Sequence, residues 1–229
     1  IGEAGGPRGS HLPDRHAILD DRKGFNRNIS RLVNVSAHIK VDKAAFLKFV
    51  ASQAEGRFEY DRGRIVQQMT GGSLAHSLIA QRFISAFGRR LDADIWVVTG
   101  HSRGVETEAT VRYPDVLVEP MSASMPGALQ DLTTEVPAAI VEVLSPTTEE
   151  MDLNVKLAEY TSIASLHAYV VASQDEARCW LWLRAADGSI PELPEEIVGL
   201  ERVIDIPALA VSIPLAEIYR GIVGQKPHD

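Results

Sequence analysis

The sequence predicts a mixed α/β or α+β domain, and three observations lead there. Two amphipathic helical segments come early, at about 42–54 and 73–91. Short strand-like stretches rich in β-branched and aromatic residues follow them. One helical segment, 147–161, is inserted between an apolar strand at 138–144 and a later strand at 167–172. Helices packed on a sheet with one crossover helix account for this order, and 229 residues fit one domain.

The elements follow in chain order. Residues 1–35 are rich in Gly, Arg, Asp and His with few periodic apolar positions, and read as an N-terminal extension or arm that orders against a partner. A domain over 36–222 and a short tail at 223–229 complete the expected organisation. In the first helix Ala45, Phe46, Phe49 and Val50 share a face. A strand pair, Phe58 to Tyr60 and Arg64 to Met69, turns at Asp61-Arg62-Gly63. Ser73 caps the second helix, which runs to about Leu91. Strands are expected at Ile95–Thr99, Val105–Val111, Asp115–Glu119 and Ala138–Leu144. Thr147-Thr148-Glu149-Glu150 matches a capping box and starts a helix reaching Thr161. His167–Ala172 and Ala177–Arg184 form a hairpin, and a strand at Arg202–Ile206 and a helix at Pro214–Tyr219 close the chain.

Composition removes several function classes. The lone Cys179 excludes an internal disulfide and a Cys-rich zinc site, and fits a reducing cytoplasm. No apolar run nears the ~18 residues of a membrane span. A net charge of −8 argues against a broad basic nucleic-acid footprint, though not against a local one next to bound divalent metal.

The informative anomaly is Glu142, one carboxylate inside the apolar run Ala138 to Leu144. A charge there is costly unless compensated. Side chains alternate along a strand, so Ile140, Glu142 and Leu144 share a face, and Asp115 of a neighbouring strand can join them. Two carboxylates suit a hard cation such as Mg²⁺, with Mn²⁺ as substitute. Lys156 supplies the opposite charge: in 100° helical steps it lies about 40° from Tyr160, beside the Leu153-Leu157-Tyr160 stripe. Asp152, one turn earlier, can hold it. These parts are those of a metal-dependent phosphodiesterase.

The segments Phe58-Glu59-Tyr60-Asp61-Arg62-Gly63-Arg64-Ile65, His76, Pro114-Asp115-Val116, Val141-Glu142-Val143-Leu144-Ser145-Pro146-Thr147-Thr148, Asp152, Lys156 and Tyr160 resemble the Uma2 family, or DUF820, of the PD-(D/E)XK nuclease superfamily. The resemblance spans about Val41 to Tyr219. It implies a restriction-endonuclease-like mixed sheet flanked by helices, and a Mg²⁺-dependent endonuclease acting on DNA, commonly as a homodimer. The superfamily's usual lysine position, two after the glutamate, is Leu144 here; the family's displaced lysine corresponds to Lys156. The family's acidic hairpin residue corresponds to Glu59, a third ligand or water-orienting group. His76, near a helix start where phosphate binding is favourable, is a substrate-binding candidate. The family's Tyr-Trp is Tyr169-Val170 here.

Other readings compete. Glu142 and Glu59 can be structural carboxylates, Asp115 a strand-entry residue taking backbone hydrogen bonds, Lys156 half of a surface pair with Asp152, and His76 a packed histidine. A non-catalytic nucleic-acid-binding or assembly protein retaining the fold is the alternative function. Gly100-His101-Ser102-Arg103-Gly104 matches a serine-hydrolase elbow, but a β-branched, alternating stretch follows where a helix is needed, so a hairpin turn is expected. Trp180 and Trp182 share a face opposite Leu181 and Leu183, as core or as a docking surface.

Overall fold

A computed structural model describes residues 40–53, 57–68, 72–124, 131–145 and 151–223. The N-terminal arm, the capping box at Thr147–Glu150, the side chain of Asp152 and most of the C-terminal tail lie outside the described residues.

Helix α1 (Lys43–Ser52) starts where the Asp42 carboxylate accepts from the Ala45 N–H at 2.7 Å, and buries Phe46 and Phe49. Strands β1 (Arg57–Asp61) and β2 (Arg64–Gln68) form the expected hairpin. Its two turn residues, Arg62 and Gly63, have φ of 49° and 94°. Positive φ at both positions matches the twist of the flanking strands, which is why glycine follows the tip. Helix α2 (Leu74–Arg90) is capped by Ser73 and buries Ile79, Phe83, Ala86 and Phe87 along one stripe.

Next come β3 (Trp96–Gly100), β4 (Gly104–Glu106), β5 (Thr110–Arg112), β6 (Val116–Pro120), β7 (Thr133–Thr134) and β8 (Ala139–Val143). The crossover contains a π-helical stretch (Met151–Lys156) and α3 (Leu157–Thr161). The chain then forms β9 (Ala168–Ala172), β10 (Arg178–Leu183), β11 (Glu195–Val198), β12 (Val203–Ile206), β13 (Val211–Pro214) and α4 (Leu215–Tyr219). One sheet has the order β2-β1-β5-β4-β7, a second β11-β10-β9-β8-β6-β3, and β12 pairs with β13. The larger sheet is mixed: β8 runs antiparallel to β6 and parallel to β9. This is the α+β class that the sequence predicts.

Alternation divides the core. Val116, Val118 and Val141 pack with Phe83, Phe87 and Ile218 on one face of the large sheet. Leu117 and Ile140 pack with Tyr160, Tyr169 and Trp182 on the other. Phe46, Tyr60 and Val111 form a third cluster under α1.

Four expectations are corrected. The single strand at Val105–Val111 is two strands, β4 and β5, paired antiparallel. The Thr107 hydroxyl oxygen accepts from the Thr110 N–H at 3.0 Å, a local bond that turns the chain despite its β-branched composition. Gly100–Gly104 is not a hairpin turn, because β3 and β4 belong to different sheets and the segment joins them. The helix entering Thr161 is partly π-helical. The short strands β7, β11 and β13 have no counterpart among the expected elements; the periodic signal is weak where, as in β11, one residue of four is buried.

Candidate active site

Register makes the site. Val116 stands opposite Val141 and Leu117 opposite Ile140, so one further step sets Asp115 opposite Glu142. Residues directly opposed in an antiparallel pair project from the same face with Cβ atoms about 4.5–5.5 Å apart. The two carboxylates therefore share the Leu117–Ile140 face, onto which the crossover packs. Asp115 also leaves its own strand to grip the next: its Oδ2 accepts from the Val143 N–H at 2.8 Å.

Glu142 is 3% exposed and Lys156 5%. The Lys156 ammonium donates to Glu142 Oε1 at 2.9 Å, and the Tyr160 hydroxyl donates to the same oxygen at 3.1 Å. Both donors come from the crossover, four residues apart and so on one helical face. The Tyr160 phenol is pushed well above its ordinary range by complete burial and then by the Glu142 and Glu59 charges, so it stays a donor.

His76, in the first turn of α2, places Nε2 3.0 Å from Asp115 Oδ1. A side chain at Gly72 would bring its Cβ within 3.1 Å of the His76 ring, so the preceding loop leaves that space to the imidazole. Burial alone would raise the Asp115 carboxyl. The His76 hydrogen bond and charge, the Val143 N–H and the Lys156 charge outweigh it and hold the group below its usual range. Gln174, after β9, ties these parts together: it bonds the Ser73 hydroxyl at the start of α2 and the Leu144 carbonyl at the end of β8.

Glu59 belongs to a neighbouring network. Its Oε2 accepts from Arg112 Nη1 at 3.0 Å and its Oε1 from the Tyr113 N–H at 3.4 Å. Arg112 uses its other edge to hold Glu159 at 2.7 and 2.8 Å, a bidentate fork. Burial works against the Arg112 charge, but Glu159 and Glu59 outweigh it and keep the guanidinium firmly protonated. Among the described residues, no three His, Cys, Asp or Glu side chains are grouped to hold an ion. The structure thus brings together Asp115, Glu142, Lys156 and His76, with Glu59 engaged by Arg112.

Sequence reasoning missed the Arg112–Glu159 fork, Gln174, and the buried pair of Arg103 with Glu119. Glu159 offered a faint signal, as an acid next to the apolar stripe residue Tyr160; Gln174 offered none. Ser102 is followed by strand β4 rather than a helix, which removes the hydrolase elbow. Trp182 is buried 5.6 Å from the Tyr169 ring, as core, while Trp180 is partly exposed.

Comparison with known proteins fits this architecture. The Uma2 family model, described as "Putative restriction endonuclease", matches residues 44–215. The chain belongs to the Uma2 family. An uncharacterized protein of Synechocystis sp. is 28% identical over 187 residues, covering 80% of this Uma2 chain and 93% of that protein. A crystal structure of "a putative nuclease belonging to DUF820" from Anabaena variabilis ATCC 29413 aligns with a TM-score of 0.62 at 14% identity. It covers 77% of the Uma2 chain described here and 98% of the Anabaena chain, and shows the shared fold. No helix among the described residues is long and apolar enough to cross a membrane.

Proposed function

We propose that this Uma2-family protein is a Mg²⁺-dependent endonuclease that hydrolyses DNA phosphodiester bonds at Asp115, Glu142 and Lys156. The observation that carries the reading is the register that sets Asp115 opposite Glu142 on the face occupied by the Lys156 ammonium. The donor set suits the ion: Mg²⁺ is commonly held by one or two carboxylates and completes its shell with water and phosphate oxygens. The lack of a third clustered ligand is therefore compatible with it.

Asp115 and Glu142 would hold Mg²⁺, or Mn²⁺ in its place, and the ion would lower the pKa of water and offset charge on the scissile phosphate. His76 and the Val143 N–H orient the Asp115 carboxylate, and Tyr160 orients Glu142. Lys156, drawn towards the substrate side, would orient the attacking water and stabilise charge developing at the phosphate. His76 can also contact that phosphate. Glu59, with both oxygens engaged, would act by holding Arg112 rather than as a third ligand. The reading includes a cytoplasmic homodimer, since cutting two strands calls for two sites.

The test is cleavage of supercoiled plasmid with and without Mg²⁺ by wild type, Asp115→Asn, Glu142→Gln and Lys156→Met. Cleavage that requires Mg²⁺ and falls at least about 100-fold in each variant supports the proposal. Undiminished cleavage by the variants would place the activity elsewhere. The non-catalytic reading draws on the internal satisfaction of the site, where Glu142 and Asp115 already have protein partners. Tight DNA binding with no cleavage in Mg²⁺ or Mn²⁺ would favour it.

A further inference from the structure

The row of opposed residues continues one strand beyond the carboxylates. Gly100 of β3 stands opposite Val116 of β6, so the next step brings His101 opposite Asp115. A Cβ added at Gly100 would lie 3.6 Å from the Asp115 carbonyl oxygen, so the backbones are in close contact there. Glu142, Asp115 and His101 thus lie in sequence across β8, β6 and the end of β3, and His101 is exposed.

The smaller sheet supplies a second exposed group. In β1, Arg57, Glu59 and Asp61 point to one face, and Arg57 lies about 7 Å along the strand from Glu59. Most arginines here are occupied: Arg62 and Arg64 share Asp61, and Arg89 and Arg90 share Glu217. Arg57 pairs with no carboxylate among the described residues. The Arg57 guanidinium, Asp115 and His76 all lie within electrostatic range of the His101 imidazole.

We propose that Arg57 and His101 form a phosphate-contacting rim that receives the DNA strand beside the Asp115–Glu142 pair. This rests on the nuclease reading and names how the site holds its substrate. A chain of net charge −8 repels DNA at long range, so capture depends on cations left uncommitted near the site. The guanidinium fork matches phosphate oxygens in two parallel hydrogen bonds. The exposed His101 imidazole offers a ring N–H to a phosphate oxygen.

Substituting each residue in turn tests the rim. Binding of a fluorescein-labelled 30-base-pair duplex is followed by anisotropy across salt concentrations, in EDTA so that no strand is cut. Arg57→Ala should weaken binding about tenfold at low salt and reduce the salt slope by about 0.9. His101→Ala should weaken it about fivefold. Arg57→Lys should restore the slope. Wild-type affinity and slope in both alanine variants overturn the rim, as does wild-type protein that shows no salt-dependent binding. Failure of the nuclease reading is distinct: binding responds to both substitutions, yet the plasmid stays uncut in Mg²⁺.

Discussion

Replacing Lys156 with methionine keeps most of the side chain's volume and removes its charge. In the native protein the ammonium lies 2.9 Å from Glu142 Oε1, with the two side chains 7% and 4% exposed. Removing one partner of a buried ion pair leaves an uncompensated charge and costs about 3–5 kcal/mol. The Tyr160 hydroxyl at 3.1 Å still serves the carboxylate and returns part of that, while Asp115 across the ladder adds repulsion. The expected loss is therefore about 3 kcal/mol, the low end of the range. With a urea dependence near 2 kcal/mol per molar, the unfolding midpoint should fall by about 1.5 M. Tryptophan fluorescence can follow the transition, since Trp182 is buried beside Tyr169. The double variant Glu142→Gln, Lys156→Met removes the stranded charge and should recover at least about half of the loss. A midpoint shift under about 0.5 M, or a double variant no more stable than Lys156→Met alone, would refute a buried pair whose partners compensate each other.

Arg112→Lys should cost at least about 2 kcal/mol in the same assay, because an ammonium cannot serve Glu159 bidentately and Glu59 at once; a cost below about 0.5 kcal/mol would mean that the fork adds little. Asp115 has its folded-state pKa lowered, so the stability it contributes is full above the unfolded value near ~3.9 and disappears as pH falls through the folded value. Asp115→Asn should then lose stability less steeply than wild type below about pH 4 in urea titrations, and parallel acid limbs would remove Asp115 from the account.

Much of this site could be read from residues because strand alternation is strict. With Glu142 as the lone acid of an apolar run, the faces of β8 follow, and register alone decides whether Asp115 joins it. The lysine was harder. A uniform 100° step put Lys156 at the edge of a stripe, whereas the preceding turn is π-helical and the ammonium is almost fully buried. Arg112 and Glu159 are 47 residues apart, and no local pattern announces that they meet. The β4–β5 turn was hidden by threonines, whose branched side chains suggest a strand while their hydroxyls close a turn.

Lys156 and Tyr160 end on one carboxylate oxygen, so Glu142 in effect measures one α-helical turn of the crossover. The π-helical stretch ends at the lysine, upstream of that measured turn. Each i→i+5 turn takes up one more residue than an α turn, so among the described residues of the crossover this stretch can gain or lose length. A one-residue deletion within 153–155 can relax to α geometry and leave the lysine and tyrosine in phase. The same deletion within 157–159 would rotate one donor by about 100° away from Glu142. The crossover thus joins a length-tolerant half to a phase-locked half, and sequence drift can work freely on the first while the second holds the charge in place.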